Sequence, residues 1–128
     1  MREILTPVKA ESIVHNNLYG LDHEECWAIY LSCANDVLAT EMLSKGTLTQ
    51  TSIDSRTVLR QALLHNAVAI IILHNHPYGS PRPSFEDIHF TNGLRKACQI
   101  MDINLVDHII ISSNSFYSFA EDQSYKIS

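Results

Sequence analysis

The sequence is short of positive charge and of long apolar runs. Its 128 residues contain 9 Lys and Arg against 14 Asp and Glu, a formal net charge of −5. A free-standing nucleic-acid binder neutralises phosphates with an excess of basic side chains, so we do not expect direct DNA binding. No apolar run reaches the roughly 20 residues of a membrane helix, and the N-terminus lacks a signal-peptide pattern. We therefore expect a cytoplasmic protein with no membrane association.

Cysteine is also scarce. The three cysteines, Cys26, Cys33 and Cys98, form no CxxC pair. An odd number of cysteines without a CxxC pair indicates reduced, buried thiols more than a disulfide framework or a cysteine-based zinc site. This prediction agrees with a cytoplasmic location.

The remaining composition is typical of a globular protein, with 45% hydrophobic and 18% charged residues, and the length suits one domain, residues 1–128. Strand-like and helix-like segments alternate, which predicts an α/β domain whose sheet is covered on both faces. The predicted elements are a helix from Thr6-Pro7 to about Leu18, a hairpin of strands 26–33 and 37–44, a helix from Asp54 or Ser55, a buried strand 67–73, a helix from Ser84 to about Met101, strands 105–112 and 116–119, and a polar tail 122–128 that frays.

Residues with metal-binding chemistry gather where the buried strand ends. His74 and His76 stand two positions apart, so on an extended backbone both imidazoles project the same way. Asp87 falls in the first turn of the next helix, after a loop stiffened by three prolines. Two imidazoles and one carboxylate can complete a three-ligand zinc site with water in the fourth position. The ends of strands are also where ligands bind in open α/β sheets.

Each part of this pattern has an ordinary structural explanation. An HxH pair alone is a weak metal signal. Ser84 and Asp87 alone fit a capping box, in which the serine caps the helix and the acid meets the helix dipole. The combined spacing, H-x-H-P-x6-S-x-x-D, is far more restrictive than its parts.

That combined spacing resembles the JAMM (MPN+) metalloprotease motif. The flanking segments ATEMLSKGTL, HNAVAIIILHNHPYGSPRPSFEDI, INLVDHIII and FYSFAE are similar to the RadC family in particular, over essentially the whole chain. The resemblance implies a three-layer α/β/α fold with a mixed sheet, related to the cytidine deaminase architecture. It also implies zinc bound by His74, His76 and Asp87.

The resemblance further implies two catalytic residues. In the wider JAMM group a glutamate on an earlier strand is the general base and the motif serine stabilises the oxyanion. By position in the segment ATEMLSKGT, these roles map onto Glu41 and Ser84. In VLATEMLS the alternation places Glu41 among apolar neighbours, which would raise its pKa toward a range useful for proton transfer. Without the resemblance, an edge-strand glutamate that reaches solvent explains the same residue.

The expected function is a zinc-dependent hydrolase that cleaves an amide or isopeptide bond in a peptide or isopeptide substrate. Two alternatives stay open. One is a DNA-repair or replication-associated binding module whose metal site is structural or vestigial, since the RadC name has a historical link to DNA repair. The other is a metal-dependent nuclease, since activated water attacks phosphodiesters as well as amides.

Three further expectations complete the analysis. His108, beside Asp107 in LVDHIII, either orients a metal ligand or is a satisfied core histidine. An uncovered edge strand offers a route to a homodimer. Longer RadC-type proteins carry an N-terminal helix-hairpin-helix region that this sequence lacks, so we expect the catalytic domain alone.

Overall fold

Three helices and six strands make up the computed structural model, which describes residues 6–46 and 53–126. The helices are α1 (Pro7–Leu18), α2 (Ser55–Leu64) and α3 (Phe85–Ile100). The strands are β1 (Glu25–Leu31), β2 (Val37–Lys45), β3 (Ala69–Asn75), β4 (Asn104–Ile111), β5 (Ser115–Ser118) and β6 (Gln123–Lys126). They form one mixed sheet in the order β2-β1-β3-β4-β5-β6, in which only β3 and β4 run parallel.

Each helix begins at a side chain that caps it. Thr6 Oγ1 accepts a hydrogen bond from Lys9 N ahead of Pro7, and Asp54 Oδ1 accepts one from Arg56 N. Ser84 opens α3 with a full capping box, completed by the Asp87 carboxylate. The predicted helix starts are confirmed because these caps depend on neighbouring residues only.

The helices cover both faces of the sheet, as expected for a three-layer α/β/α arrangement. Two buried clusters, one on each face, form the core. The helical side chains in them are Ala10, Val14 and Leu18 from α1 on one face, and Val58, Ala62, Phe90, Leu94 and Cys98 from α2 and α3 on the other. None of the helices in the described ranges has the length and apolar character that a bilayer crossing requires.

The topology brings the functional end of the molecule together. Because β3 and β4 are parallel and joined through α3, their carboxyl ends lie at the same edge of the sheet. β1 runs antiparallel to β3, so the beginning of β1 reaches that edge too, with Cys26 opposite His74. On its other side His74 lies opposite Ile110 of β4.

The structure corrects several sequence predictions. Residues 123–126 pair with β5 as a sixth strand instead of fraying, because Tyr125 stacks on Phe116 and gives this polar segment an apolar anchor. The last two residues of the predicted tail lie outside the described ranges. Cys26 and Cys98 are buried as expected, but Cys33 is exposed in the β1–β2 turn. Within residues 6–46 and 53–126, β2 and β6 are the edge strands of the sheet, and the homodimer stays a prediction.

Candidate metal centre

The three predicted ligands meet at the end of β3. His74 Nε2 lies 3.0 Å from Asp87 Oδ1, and His76 Nε2 lies 3.2 Å from Asp87 Oδ2. The two imidazole Nε2 atoms are 3.2 Å apart. His74 and Asp87 are almost fully buried, and His76 is partly exposed. The strand end supplies the imidazoles, and the capped first turn of α3 supplies the carboxylate.

The hydrogen bonds around His76 show that this group suits a cation. His76 Nδ1 lies 3.1 Å from the Ser80 carbonyl oxygen, which can only accept, so this nitrogen carries a hydrogen. In neutral His76 the Nε2 lone pair therefore points at the Asp87 carboxylate, and two acceptors face each other. A metal ion at this point satisfies both, and imidazole nitrogen with carboxylate oxygen is a donor set that divalent transition metals accept. The residues present therefore fit a metal ion.

In the metal-free state the pKa values of Asp87 and His76 shift in opposite directions, as expected for a carboxylate beside an imidazole that gains a proton. Burial by itself raises the pKa of the Asp87 carboxyl, but the contacts with the His74 and His76 imidazoles outweigh it and hold that pKa well below its usual range. Burial lowers the pKa of His76, yet Asp87 and the Ser80 carbonyl more than offset this and raise it. The carboxylate stays ionised and attracts positive charge to the site.

Glu24 is a fourth member of the cluster that sequence reasoning missed. It directly precedes β1, and its carboxylate lies within 4.8 Å of the ligand nitrogens of His74 and His76. Asp87 and Glu24 therefore approach the histidine pair from two elements, α3 and the start of β1. Glu24 also lines a cavity of about 270 Å³ together with His76, Ser84 and Asp87. The cavity leaves room for a small group beside the candidate metal site.

Asn75, the residue between the two histidines, holds the Glu24 segment in place. Its side chain points away from the ligands, accepts a hydrogen bond from Glu25 N at 2.7 Å and donates one to the His23 carbonyl at 2.8 Å. These two backbone groups flank Glu24, so one amide side chain fixes the backbone on both sides of that residue. The HNH tripeptide therefore carries two ligands and, between them, the contact that places the glutamate.

The structure does not bring Glu41 to this cluster. Glu41 lies on β2 opposite Ala28, and its Oε1 is 2.6 Å from His65 Nε2, just after α2. It lines a different cavity, of about 400 Å³, with residues of α2 and β2. Ala39 and Leu43, on the same face of β2 as Glu41, pack against the core, but β1 separates β2 from β3 and the histidines. Of the two glutamates, Glu24 is the one that clusters with the histidine nitrogens, and the catalytic role of Glu41 stays a prediction.

Ser84 lies where the prediction put it, at the rim of the candidate site. Its Oγ accepts a hydrogen bond from Asp87 N at 3.1 Å, and its backbone N donates to Asp87 Oδ2 at 2.7 Å. The cap uses the oxygen lone pair of Ser84, so the hydroxyl hydrogen can still be donated toward the cavity that this residue lines. The capping explanation and the catalytic one are therefore compatible.

His108 contacts the predicted ligand His74 directly. Its Nε2 lies 2.6 Å from His74 Nδ1, and the two rings have centroids 4.7 Å apart. Burial lowers the pKa of His108 well below its usual value. Of the two explanations that the sequence left open, the contact with His74 favours the one in which His108 orients a ligand.

The chain is similar in sequence to a large group of curated bacterial proteins. It is 41% identical over 116 residues to a UPF0758 protein of Nitrosospira multiformis, a match that covers 91% of this chain and 52% of that protein. It is 41% identical over 105 residues to the UPF0758 protein YeeS of Escherichia coli, covering 82% of this chain and 71% of YeeS. The chain spans about half the length of most of the relatives compared.

A family profile described as the RadC-like JAB domain matches residues 4–124, which include every residue of the candidate metal centre. The match covers the three helices, strands β1 to β5 and the H-x-H-P-x6-S-x-x-D spacing together. On this basis the chain belongs to the RadC-like JAB domain family.

Proposed function

We propose that this chain is a zinc-dependent hydrolase that cleaves an amide or isopeptide bond. The observation that carries the proposal is the convergence of two imidazole Nε2 atoms and one carboxylate within 3.2 Å, with a further carboxylate, Glu24, within 4.8 Å of the imidazoles. Two histidines and one acid are a ligand set of catalytic zinc sites, in which the fourth position is open. Imidazole ligands favour zinc over magnesium or calcium.

A bound zinc ion would supply an acidified water and a Lewis acid for the substrate carbonyl. Glu24 accepts the proton of the attacking water and passes it to the leaving amine. Its carboxylate lies within 4.8 Å of the histidine nitrogens, and it comes from the residue before β1, whereas the proposed metal ligands come from β3, the residue after it and α3. The Ser84 hydroxyl donates a hydrogen bond to the oxyanion that develops on the carbonyl oxygen. Asn75 holds Glu24 in position through the backbone on either side of it.

The charge around the site favours an amide over a phosphodiester. Glu24, Glu86 and Asp87 all line the cavity beside His76, and no Lys or Arg of the described residues lines it with them. Carboxylates repel a phosphate group, whereas a peptide carbonyl is neutral. A nuclease and a DNA-binding module are therefore the weaker candidates.

A matched pair of glutamate variants tests the proposal. Zinc content is measured on purified protein, and the zinc-loaded protein is assayed against peptide and lysine-linked isopeptide substrates. Glu24→Gln is expected to keep zinc and lose hydrolysis by about 10²–10⁴-fold, the usual contribution of a positioned acid or base. Glu41→Gln removes the same charge two strands away from β3 and is expected to hydrolyse at the wild-type rate.

Other outcomes would reject parts of the proposal. Loss of activity in Glu41→Gln with full activity in Glu24→Gln would return the base to the residue predicted from the sequence. Zinc binding without cleavage of any amide substrate would favour a structural or vestigial metal site. Gel-shift and nuclease assays at stated salt concentrations complete the comparison, and cleavage or tight binding of DNA would overturn the assignment to amide chemistry.

A further inference from the structure

A chain of hydrogen bonds runs from the interior of α3 to the candidate metal site through two buried residues, Thr91 and His108, that are not ligands themselves. Thr91 Oγ1 lies 2.8 Å from the Asp87 carbonyl oxygen and also contacts His108 Nδ1. His108 Nε2 lies 2.6 Å from His74 Nδ1. Both residues are almost completely buried. We refer to these contacts as the Thr91–His108 chain.

The partners decide where each hydrogen lies. A carbonyl oxygen can only accept, so the Thr91 hydroxyl donates to Asp87 O. A hydroxyl has one hydrogen, so the Thr91 oxygen accepts from His108, and His108 carries its hydrogen on Nδ1. The two ring nitrogens of fully buried His108 are paired with uncharged partners, the Thr91 hydroxyl and the His74 imidazole, and these contacts accommodate the neutral ring. His108 Nε2 therefore accepts from His74 Nδ1. The lone pair of neutral His74 is then on Nε2, where it faces Asp87 Oδ1 at 3.0 Å, two acceptors that a cation between them satisfies.

The ring of His108 is held in the orientation that these bonds require. It stacks on Phe119 with the ring centroids 4.7 Å apart and the planes 7° from parallel. Asp107 Oδ1 accepts a hydrogen bond from His108 N at 2.7 Å, and Phe119 N donates to His108 O at 3.0 Å. Stacking and backbone contacts together keep Nδ1 toward Thr91 and Nε2 toward His74.

We propose that Thr91 and His108 are positioning residues, which hold His74 in the tautomer with hydrogen on Nδ1 and so keep its Nε2 lone pair directed at the metal site. This inference rests on the proposed function only in taking a metal ion as the ligand. Without the Thr91 hydroxyl, His108 is free to carry its hydrogen on Nε2 and donate it to His74. His74 then carries its own hydrogen on Nε2, which is the atom that a metal ion needs.

The tautomers can be measured without a metal or a substrate. Metal-free protein with ¹⁵N-labelled histidine is examined at pH 8 by long-range ¹H–¹⁵N NMR. In the wild type, His74 and His108 are expected to carry hydrogen on Nδ1, and in Thr91→Val both are expected to shift toward hydrogen on Nε2. Wild-type His74 with its hydrogen on Nε2 would overturn the proposal, as would a Thr91→Val spectrum identical to that of the wild type.

Metal affinity provides a second measurement. The dissociation constant for Zn²⁺ is determined by competition with a chromophoric chelator. Thr91→Val, which has nearly the shape of threonine without the hydroxyl, is expected to bind zinc about 10–100-fold more weakly, the usual effect of losing a contact that orients a ligand. Thr91→Ser restores the hydroxyl and is expected to restore the affinity. Wild-type affinity in Thr91→Val would contradict the proposal.

Tyr30→Phe is the matched control for general destabilisation. Tyr30 also carries a buried hydroxyl, and it donates to the Val58 carbonyl oxygen at 3.3 Å, outside the Thr91–His108 chain and the residues that hold the His108 ring. We expect this variant to lose stability and to keep its affinity for zinc. An equal loss of affinity in Tyr30→Phe and Thr91→Val would show that the effect is structural, and the proposal would be rejected.

The outcomes separate this proposal from the proposed function. Wild-type protein that binds zinc but hydrolyses no amide rejects the proposed function, while the tautomers and the affinities still decide the role of Thr91. Wild-type protein that binds no zinc rejects the metal site itself, and the proposal with it. Full hydrolysis together with unchanged tautomers in Thr91→Val rejects the proposal alone.

Discussion

The Asp87→Asn substitution in metal-free protein gives a sharp test of the electrostatics at the site. Asparagine keeps an oxygen that can accept the hydrogen bond from Ser84 N, so the cap of α3 survives and only the charge is lost. The charge-assisted hydrogen bond to His76 is removed, and such bonds contribute about 1.5–3 kcal/mol. Because Asp87 is 2% exposed, solvent screens this interaction weakly. We expect a loss of about 2 kcal/mol in the free energy of unfolding, or a fall in Tm of roughly 8 °C.

The loss should depend on pH in a defined way. The pKa of Asp87 is lowered, so its contribution is present above the ordinary value of 3.8 and disappears as the pH falls through the lowered pKa. The pKa of His76 is raised, so its contribution is present below the ordinary value of 6.5 and disappears as the pH rises through the raised pKa. Wild type and variant should therefore differ most between about pH 4 and pH 6.5.

Urea unfolding with a chelator present, repeated across this pH range, measures the effect. Glu86→Gln is the control, because Glu86 is the neighbouring acid in the same helical turn but is exposed, and we expect it to change stability by about 0.5 kcal/mol. Equal stability of Asp87→Asn and wild type between pH 4 and pH 6.5, or a difference that grows above pH 8, would refute the reasoning. Zn²⁺ at 100 times its dissociation constant should stabilise the wild type by about 2.7 kcal/mol and the variant by less.

Two further predictions concern residues that are not proposed as metal ligands. Asn75→Ala leaves a backbone N–H and a carbonyl beside Glu24 without their partner. The free energy of unfolding should fall by about 1–3 kcal/mol, while the affinity for zinc stays close to that of the wild type. An unchanged free energy in urea unfolding would contradict the role assigned to Asn75. Cys33 is exposed whereas Cys26 and Cys98 are buried, and burial raises the pKa of Cys98 to about 11. A thiol reagent should therefore modify one cysteine in the native protein and three in denaturant. Mass spectrometry counts the modified cysteines.

The sequence predicted most of the fold because its signals are local. The capping residues Thr6 and Ser84 predict the starts of α1 and α3, and of the two starts that the sequence leaves open for α2, Asp54 or Ser55, the structure has the cap at Asp54. The strands shifted by one or two residues at their ends, since strand ends depend on the neighbouring strand. The sixth strand was missed because residues 123–126 carry little apolar pattern of their own and form a strand through pairing with β5.

The position of Glu24 beside the histidines could not be predicted from the sequence. Glu24 precedes one apolar strand and Glu41 lies on another. Without the order of the strands, the sequence does not show which glutamate lies nearer the histidines. The register that pairs Cys26 with His74 brings the start of β1 to the histidines, while β2 lies one strand further away. An acidic residue just before a predicted strand was the available signal, but using it required knowing that β1 and β3 are neighbours.

Local spacing alone accounts for the ligand set. His74 and His76 share a face because side chains alternate along a strand, and Ser84 and Asp87 meet because a capping box closes within one helical turn. The contacts that give the site its chemistry span larger separations: 50 residues from Glu25 to Asn75, 34 from His74 to His108 and 17 from Thr91 to His108. These depend on which strands pair and on how α3 packs against β4. Only the tertiary structure therefore decided which glutamate lies near the histidines and which residues contact His74.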